Sequence, residues 1–238
     1  MRSRSLKTEA LVIGTMRLRD ADRIVTLYSR DRGRISGVAK GVRRTNSRVG
    51  GRLEPFSLVH VILYPGRSLY TVTQVETIRT FQGVRECLFR LEEGSRLLEA
   101  VRQLFPEEEE HAGVFNLLVR AVAQLATAPD RAAAAQVVLA ARLKLLHALG
   151  YAPELGSCVA CGSEQYLCAF GPSEGGVLCA DCFAGESHDC FSMSAGGIVA
   201  LRSLLDRPLS EIGVVPLEAS TSGEVERAIT RTLAYHGH

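Results

Sequence analysis

Between Ala10 and Thr80 the apolar positions fall in short β-favouring runs: Leu11 and Ile13, then Ile24, Val25, Leu27 and Tyr28, then Ile35 and Val38. Arg19-Asp20-Ala21-Asp22 and Asp31-Arg32-Gly33 separate these runs and read as hairpin turns. A longer pair follows, Ser57 to Tyr64 and Ser68 to Ile78, joined by Pro65-Gly66-Arg67. In its second member Leu69, Thr71, Thr73 and Val75 alternate with Tyr70, Val72, Gln74 and Glu76, the pattern of a two-faced strand. Five short strands with closely spaced turns predict a small closed or partly open barrel. An OB-type barrel fits the size best, and an SH3-like barrel is the alternative.

From Gly83 the period becomes helical. Val84, Leu88, Leu91, Leu97, Leu98, Val101 and Leu104 mark one apolar face, ended by Phe105-Pro106. Glu107 to Glu110 then read as the first turn of a second helix running to about Ala126, where carboxylates complement the helix dipole. Pro129-Asp130 opens a third helix with Asp130 as N-cap, and Gly150 marks its end. That helix is apolar on nearly every side, so it belongs at the centre of a helical body. Helical pattern returns at Ala195 to Leu205 and at Gly223 to Tyr235. The expected architecture is multidomain α+β: a barrel over residues 1–80, a helical domain over 81–150, a zinc-ribbon module over 151–191, and C-terminal helices over 192–238 that pack on the helical domain.

Composition adds little until cysteine is counted. The chain has 238 residues, 46% apolar and 23% charged, which is ordinary for a globular protein. Met1 to Thr8 is charged with no apolar stretch after it, so no secretory signal is expected. The most apolar run, Ala132 to Leu149, is interrupted by Gln136, Arg142, Lys144 and His147, which suits a buried helix and not a membrane span. Seven cysteines with two CxxC pairs point to metal and thiols in a reducing cytosol. The pairs, Cys158-Val-Ala-Cys161 and Cys179-Ala-Asp-Cys182, have the spacing of a zinc ribbon. Two facing turns would present four thiolates to one tetrahedral Zn2+. All four positions then belong to protein, so this zinc is structural and not catalytic. Cys87, Cys168 and Cys190 read as buried or idle thiols.

Catalytic motifs are nearly absent. Gly37-Val-Ala-Lys-Gly41 is no P-loop, and there is no HExxH, GxGxxG or EF-hand loop. Gly171-Pro-Ser173-Glu-Gly175 matches the nucleophile-elbow string, but Ser173 lies in the loop between the two cysteine pairs. The six histidines are scattered. No enzyme is indicated.

Charge supplies the functional lead. Through Arg79 the chain carries 16 basic and 6 acidic residues, a balance of +10; the remainder carries 12 and 20, a balance of −8. Density peaks at Lys40, Arg43, Arg44, Arg48 and Arg52, with no acid among them and with Gly41, Gly50 and Gly51 as spacers. Arg32 and Arg34 precede this loop, and the N-terminal tail adds Arg2, Arg4 and Lys7. Guanidinium groups pair bidentately with phosphate, and a glycine-spaced loop can follow a curved backbone. Arg2, Arg4, Arg34, Lys40, Arg43, Arg44, Arg48 and Arg52 are therefore the expected nucleic-acid contacts. Tyr28, Tyr64 and Tyr70, on neighbouring strands, are candidates for stacking on bases or are simply half-buried strand residues.

The string Asp22-Arg-Ile-Val-Thr-Leu-Tyr-Ser, followed by Gly33-Arg-Ile, Val38-Ala-Lys-Gly-Val-Arg-Arg44 with Ser47, and Leu53-Glu-Pro-Phe56, resembles the RecO family of bacterial recombination mediators. The resemblance is close over the barrel and good from Leu143 to Cys182. It implies non-enzymatic DNA repair: binding of single- and double-stranded DNA, annealing of complementary strands, and action with RecR and the acidic tail of single-strand binding protein to load RecA. It also implies a cytoplasmic, nucleoid-associated protein without membrane contact. The family continues past a helix like Glu224 to Tyr235 into a further basic segment, whereas this sequence stops at His238. The residues alone leave two other readings: an RNA- or ribosome-associated zinc-ribbon factor using the same barrel, and a zinc-stabilised scaffold with no nucleic-acid role.

Overall fold

A computed structural model describes residues 5–18, 20–42, 49–184, 189–213 and 217–237. The chain forms two compact units, Met1–Leu98 with Phe105–Thr127, and Glu99–Leu104 with Ala128–His238.

The first unit is built on five strands: β1 (Leu6–Arg17), β2 (Arg23–Ser29), β3 (Gly33–Ala39), β4 (Ser57–Tyr64) and β5 (Tyr70–Thr80). They close in the order β1-β2-β3-β5-β4, with β4 returning to β1. Every pairing is antiparallel except β3–β5, the OB-type arrangement. Strand β1 can serve two neighbours because it is long. Leu6 to Leu11 pairs with β4, Ala10 to Arg17 pairs with β2, and a register shift between Val12 and Gly14 bends it from one to the other. Val12, Val25, Leu27, Ile35, Val59, Val61 and Leu63 fill the interior.

The simple alternation expected along β5 does not hold. Register shifts in its pairing with β4, one of them between Ile62 and Leu63, break the period, so Val75, Val72 and Tyr70 pack on the core while Thr73 and Gln74 are exposed.

The helices that follow depart from expectation at two places. The first predicted helix is divided into a single turn, α1 (Gln82–Arg85), and α2 (Leu88–Leu104). The second, α3 (Val114–Leu125), starts well after the glutamates and packs against β1. Glu107 to Glu110 are not a helical turn. The segment turns through Glu108, at φ 60°, and attaches to β3, where Glu108 N–H donates to the Arg34 carbonyl at 2.7 Å and Glu107 forms a parallel bridge with Arg34.

In the second unit α4 (Arg131–Ala148) is central, as its all-round apolar pattern predicts. The side chain of Asp130 caps it by accepting from Ala133 N–H at 2.8 Å. Helices α6 (Ala195–Asp206) and α7 (Ala219–His236) pack on it, and Arg142 of α4 donates to Thr230 Oγ1 at 3.0 Å. Between α4 and α6 lies a small sheet, β7-β6-β8, made of β6 (Leu167–Gly171), β7 (Gly176–Cys179) and β8 (Phe191–Ser192), with the short helix α5 (Ala180–Ala184) after β7. Gly171 to Gly176 is the hairpin turn between β6 and β7, which confirms that Ser173 is on no strand-to-helix elbow. No described helix is long and apolar enough to cross a membrane.

Candidate metal centre and nucleic-acid face

The four cysteines of the two CxxC pairs come together. Their Sγ atoms all lie within 4.8 Å of one another, and Cys161 Sγ and Cys179 Sγ are 3.7 Å apart. A tetrahedral ion with metal–sulfur bonds near 2.3 Å would set its sulfurs roughly 3.8 Å apart. The spacing therefore fits a metal, and no disulfide links any of the cysteines.

The first pair is presented by a tight turn. Gly162, at φ 78°, donates its N–H to the Cys158 carbonyl at 2.8 Å, and Cys158 N–H donates to the Ser163 carbonyl at 2.8 Å. The second pair is held differently from the facing turn that spacing suggested: Cys179 ends β7 and Cys182 sits in α5. Cys158 and Cys179 are buried, Cys182 is half-buried and Cys161 is exposed.

Electrostatics make this cluster uncomfortable without a cation. Burial pushes the Cys158 thiol up, but the backbone N–H groups of Cys179, Cys161 and Ala160 outweigh burial and bring it down to about 6. Hydrogen bonding to Cys161, then to Cys179 and Cys158, pushes Cys182 up to about 12. One thiolate forms readily while Cys161 and Cys182 are held toward their protonated forms. A divalent ion would remove that conflict if it were ligated by all four as thiolates. The apolar cluster behind them is small, with Cys158, Ala169, Leu178 and Cys179 as its buried members.

The basic face belongs to the first unit, and residues of the RecO-like string build its base. Asp22 Oδ1 accepts from Gly41 N–H at 2.8 Å, where Gly41 has φ 67°. Arg23 Nη1 donates to Glu54 Oε1 at 2.7 Å. A Cβ at Gly50 would collide with the Val42 carbonyl oxygen, so only glycine lets the two ends of the basic loop approach this closely. Val42 and Leu53 are buried on either side of the loop. Lys40 is exposed at the end of β3, and Arg52 directs Nη1 to the Val75 carbonyl at 2.8 Å. Arg2, Arg4, Arg43, Arg44 and Arg48 lie outside the described residues. Arg34 is half-buried on β3, beside the glutamate segment.

The three tyrosines separate by exposure. Tyr28 is 1% exposed and packs edge-on to Phe105 with ring centroids 5.6 Å apart, so it cannot stack on a base. Tyr64 is exposed and Tyr70 half-buried. Sequence pattern missed the two acids that shape this face from elsewhere in the chain, Glu107 and Glu108, because four consecutive glutamates read equally well as a helix start.

A groove of about 490 Å³ also opens on the outer side of β1, β4 and β5. Lys7 and Arg30 there face Glu9, Asp31 and Glu76, and Arg30 already pairs with Glu9 at 2.6 Å. Three acids among the lining residues make this groove less favourable to phosphate than the basic loop.

Two family profiles together match nearly the whole chain: "Recombination protein O N terminal" over residues 1–81 and "Recombination protein O C terminal" over residues 85–237. Among curated proteins, the DNA repair protein RecO of Rubrobacter xylanophilus is 36% identical across 97% of this chain and 90% of its own length. That of Symbiobacterium thermophilum is 34% identical across 93% of this chain and 88% of its own. The RecO of a Nocardioides species is 42% identical over 74% of this chain and 73% of its own.

Proposed function

The chain belongs to the RecO family of DNA repair proteins, and from that premise we propose that it is a non-enzymatic mediator that binds single- and double-stranded DNA and anneals complementary strands. It helps load RecA in concert with RecR and receives the acidic tail of single-strand binding protein, in the cytoplasm at the nucleoid. The observation that carries this reading is the pinched base of the basic loop. Asp22, Gly41, Gly50 and Val42 hold together the ends of a segment whose side chains are Arg43, Arg44 and Arg48, with Lys40 and Arg52 at its margins. These cations hold phosphates without reading bases, with Arg34, Arg2 and Arg4 as further contacts.

Cys158, Cys161, Cys179 and Cys182 hold one structural zinc, whose folding energy a module with so small a core requires. The barrel of residues 1–80 and the zinc module of residues 151–191 are accordingly separate folding contributions.

The direct test is titration of fluorescent single- and double-stranded oligonucleotides at several salt concentrations, followed by a strand-annealing assay with and without single-strand binding protein. Binding that weakens linearly in log–log salt plots, little affected by sequence, is expected. Absence of salt-sensitive DNA binding overturns the reading. Structured RNA that outcompetes single-stranded DNA replaces it with a ribosomal or RNA role.

A further inference from the structure

Strand β3 is only partly paired on its β5 side. Pairing there runs from Gly37 opposite Tyr70 to Ala39 opposite Val72, which leaves Gly33 to Ser36 without a β5 partner. The irregular segment Glu107 to Glu110, with Glu108 at φ 60°, occupies that edge. It bridges to Arg34 through Glu107, receives the Arg34 carbonyl on Glu108 N–H at 2.7 Å, and accepts from Ser36 Oγ on Glu107 Oε1 at 2.5 Å. The Tyr70 hydroxyl lies within electrostatic reach of both the Glu108 carboxylate and Arg32. Gly33 permits the approach, since a Cβ there would strike the Glu109 carbonyl oxygen.

The cover is anchored at both ends by aromatic contact: Phe105 stands edge-on to Tyr28 and to His111, with centroids 5.6 and 5.0 Å apart. Its polar fit is nonetheless incomplete. Tyr28 Oη and Arg34 Nε are buried here without a hydrogen bond, and His111 Nε2 meets Glu109 Oε1 only at 3.5 Å. A cover that buries donors without hydrogen bonds is held less firmly than a fully bonded strand.

We propose that Glu107–Glu110 is a displaceable acidic strap that occupies, in place of nucleic-acid phosphate, a second binding patch made by Arg32, Arg34 and Tyr70 on the edge of β3. The Glu107 carboxylate accepts from Ser36 Oγ, and the Glu108 carboxylate lies within electrostatic reach of the Tyr70 hydroxyl, so the strap sets negative charge on a strand edge that carries Arg34 and follows Arg32. Strap release exposes a patch at the start of β3, with Lys40 just past its other end, so bound DNA extends from the basic loop along β3. The inference rests on the proposal that this barrel binds DNA.

The experiment compares the full-length protein with Glu107→Gln/Glu108→Gln, with Glu164→Gln/Glu174→Gln as an equal change of charge on exposed residues elsewhere. An oligothymidylate probe is titrated at low and moderate salt. Neutralising the strap should tighten binding about tenfold at low salt, with the gain shrinking as salt rises. Adding Arg34→Ala to that variant should abolish the gain, because Arg34 is the cation that release of the strap uncovers. A gain of equal size in the control pair, no gain, or a gain that survives Arg34→Ala overturns the strap. Failure of the unaltered protein to bind the probe overturns the DNA reading itself. The unaltered protein supplies a second readout: a glutamate-specific protease should cut after Glu107 to Glu110 faster when the probe is bound, and protection by the probe overturns the proposal.

Discussion

Phe56 sits in the left-handed region at φ 65° although it is neither glycine nor asparagine, and it is almost fully buried. Its N–H donates to the Val12 carbonyl and its carbonyl accepts from Phe81 N–H, so both backbone groups tie the barrel to the start of the helices. The ring packs on Gly94 of α2, where a Cβ would come within 2.8 Å of two ring carbons. Strain at Phe56 is thus offset by bonds and packing on all sides. Phe56→Ala should lower stability by about 3–5 kcal/mol and Gly94→Ala by about 1–3 kcal/mol in urea unfolding, non-additively because the two sites touch. Tyr28 gives a pH signature. Burial first, then the charges of Glu109 and Glu110, hold its phenol well above the ordinary range. The folded form keeps its proton where the unfolded form loses it, so this group costs nothing below pH about 10 and weakens the fold above it. Tyr28→Phe should leave stability at pH 7 unchanged or slightly higher, since the hydroxyl is buried unpaired, and should flatten the alkaline loss.

At the scale of elements, the cysteine module depends on what binds it. With Cys158 ionised near neutral pH and Cys182 pushed up to about 12, metal uptake must expel protons. Zinc added to metal-free protein in weak buffer should release protons measurable with an indicator dye, and affinity should fall as the pH is lowered. Chelation, or Cys158→Ser, should expose the segment from β6 to β8 to proteolysis while amide protection of β1 to β5 persists. Equal resistance with and without metal would show that the small sheet holds itself. Strand β1 illustrates the converse dependence, on neighbours. Its length and its shift at Val12 are what let five short strands close, and an unbent β1 could not pair with both β2 and β4.

For the whole molecule the decisive quantity is the distribution of charge, +10 through Arg79 and −8 beyond it. Released counterions make the salt slope a count of phosphates neutralised, at about 0.7 per contact on a single strand. Arg43→Ala/Arg44→Ala/Arg48→Ala should weaken binding to every sequence alike and reduce that slope by about 2. An unchanged slope would remove the loop from the interface. The near-neutral total of +2 conceals this behaviour entirely.

Period and spacing settled much of this protein before any tertiary contact was known. Runs of β-branched and aromatic residues located the five strands, the Asp130 cap and all-round apolar pattern located α4, and the CxxC spacing assembled four sulfurs. Each of these is a local property, set by steric and capping preferences a few residues long. Tertiary structure alone decided what lies over what. It put Tyr28 beneath Phe105, pinched Gly50 against Val42, and broke the alternation of β5 by register shifts against β4. It also turned the four glutamates from a helix start into a strand-edge cover. A run of acids has no periodicity of its own, and its place depends on an edge left open between strands distant in sequence.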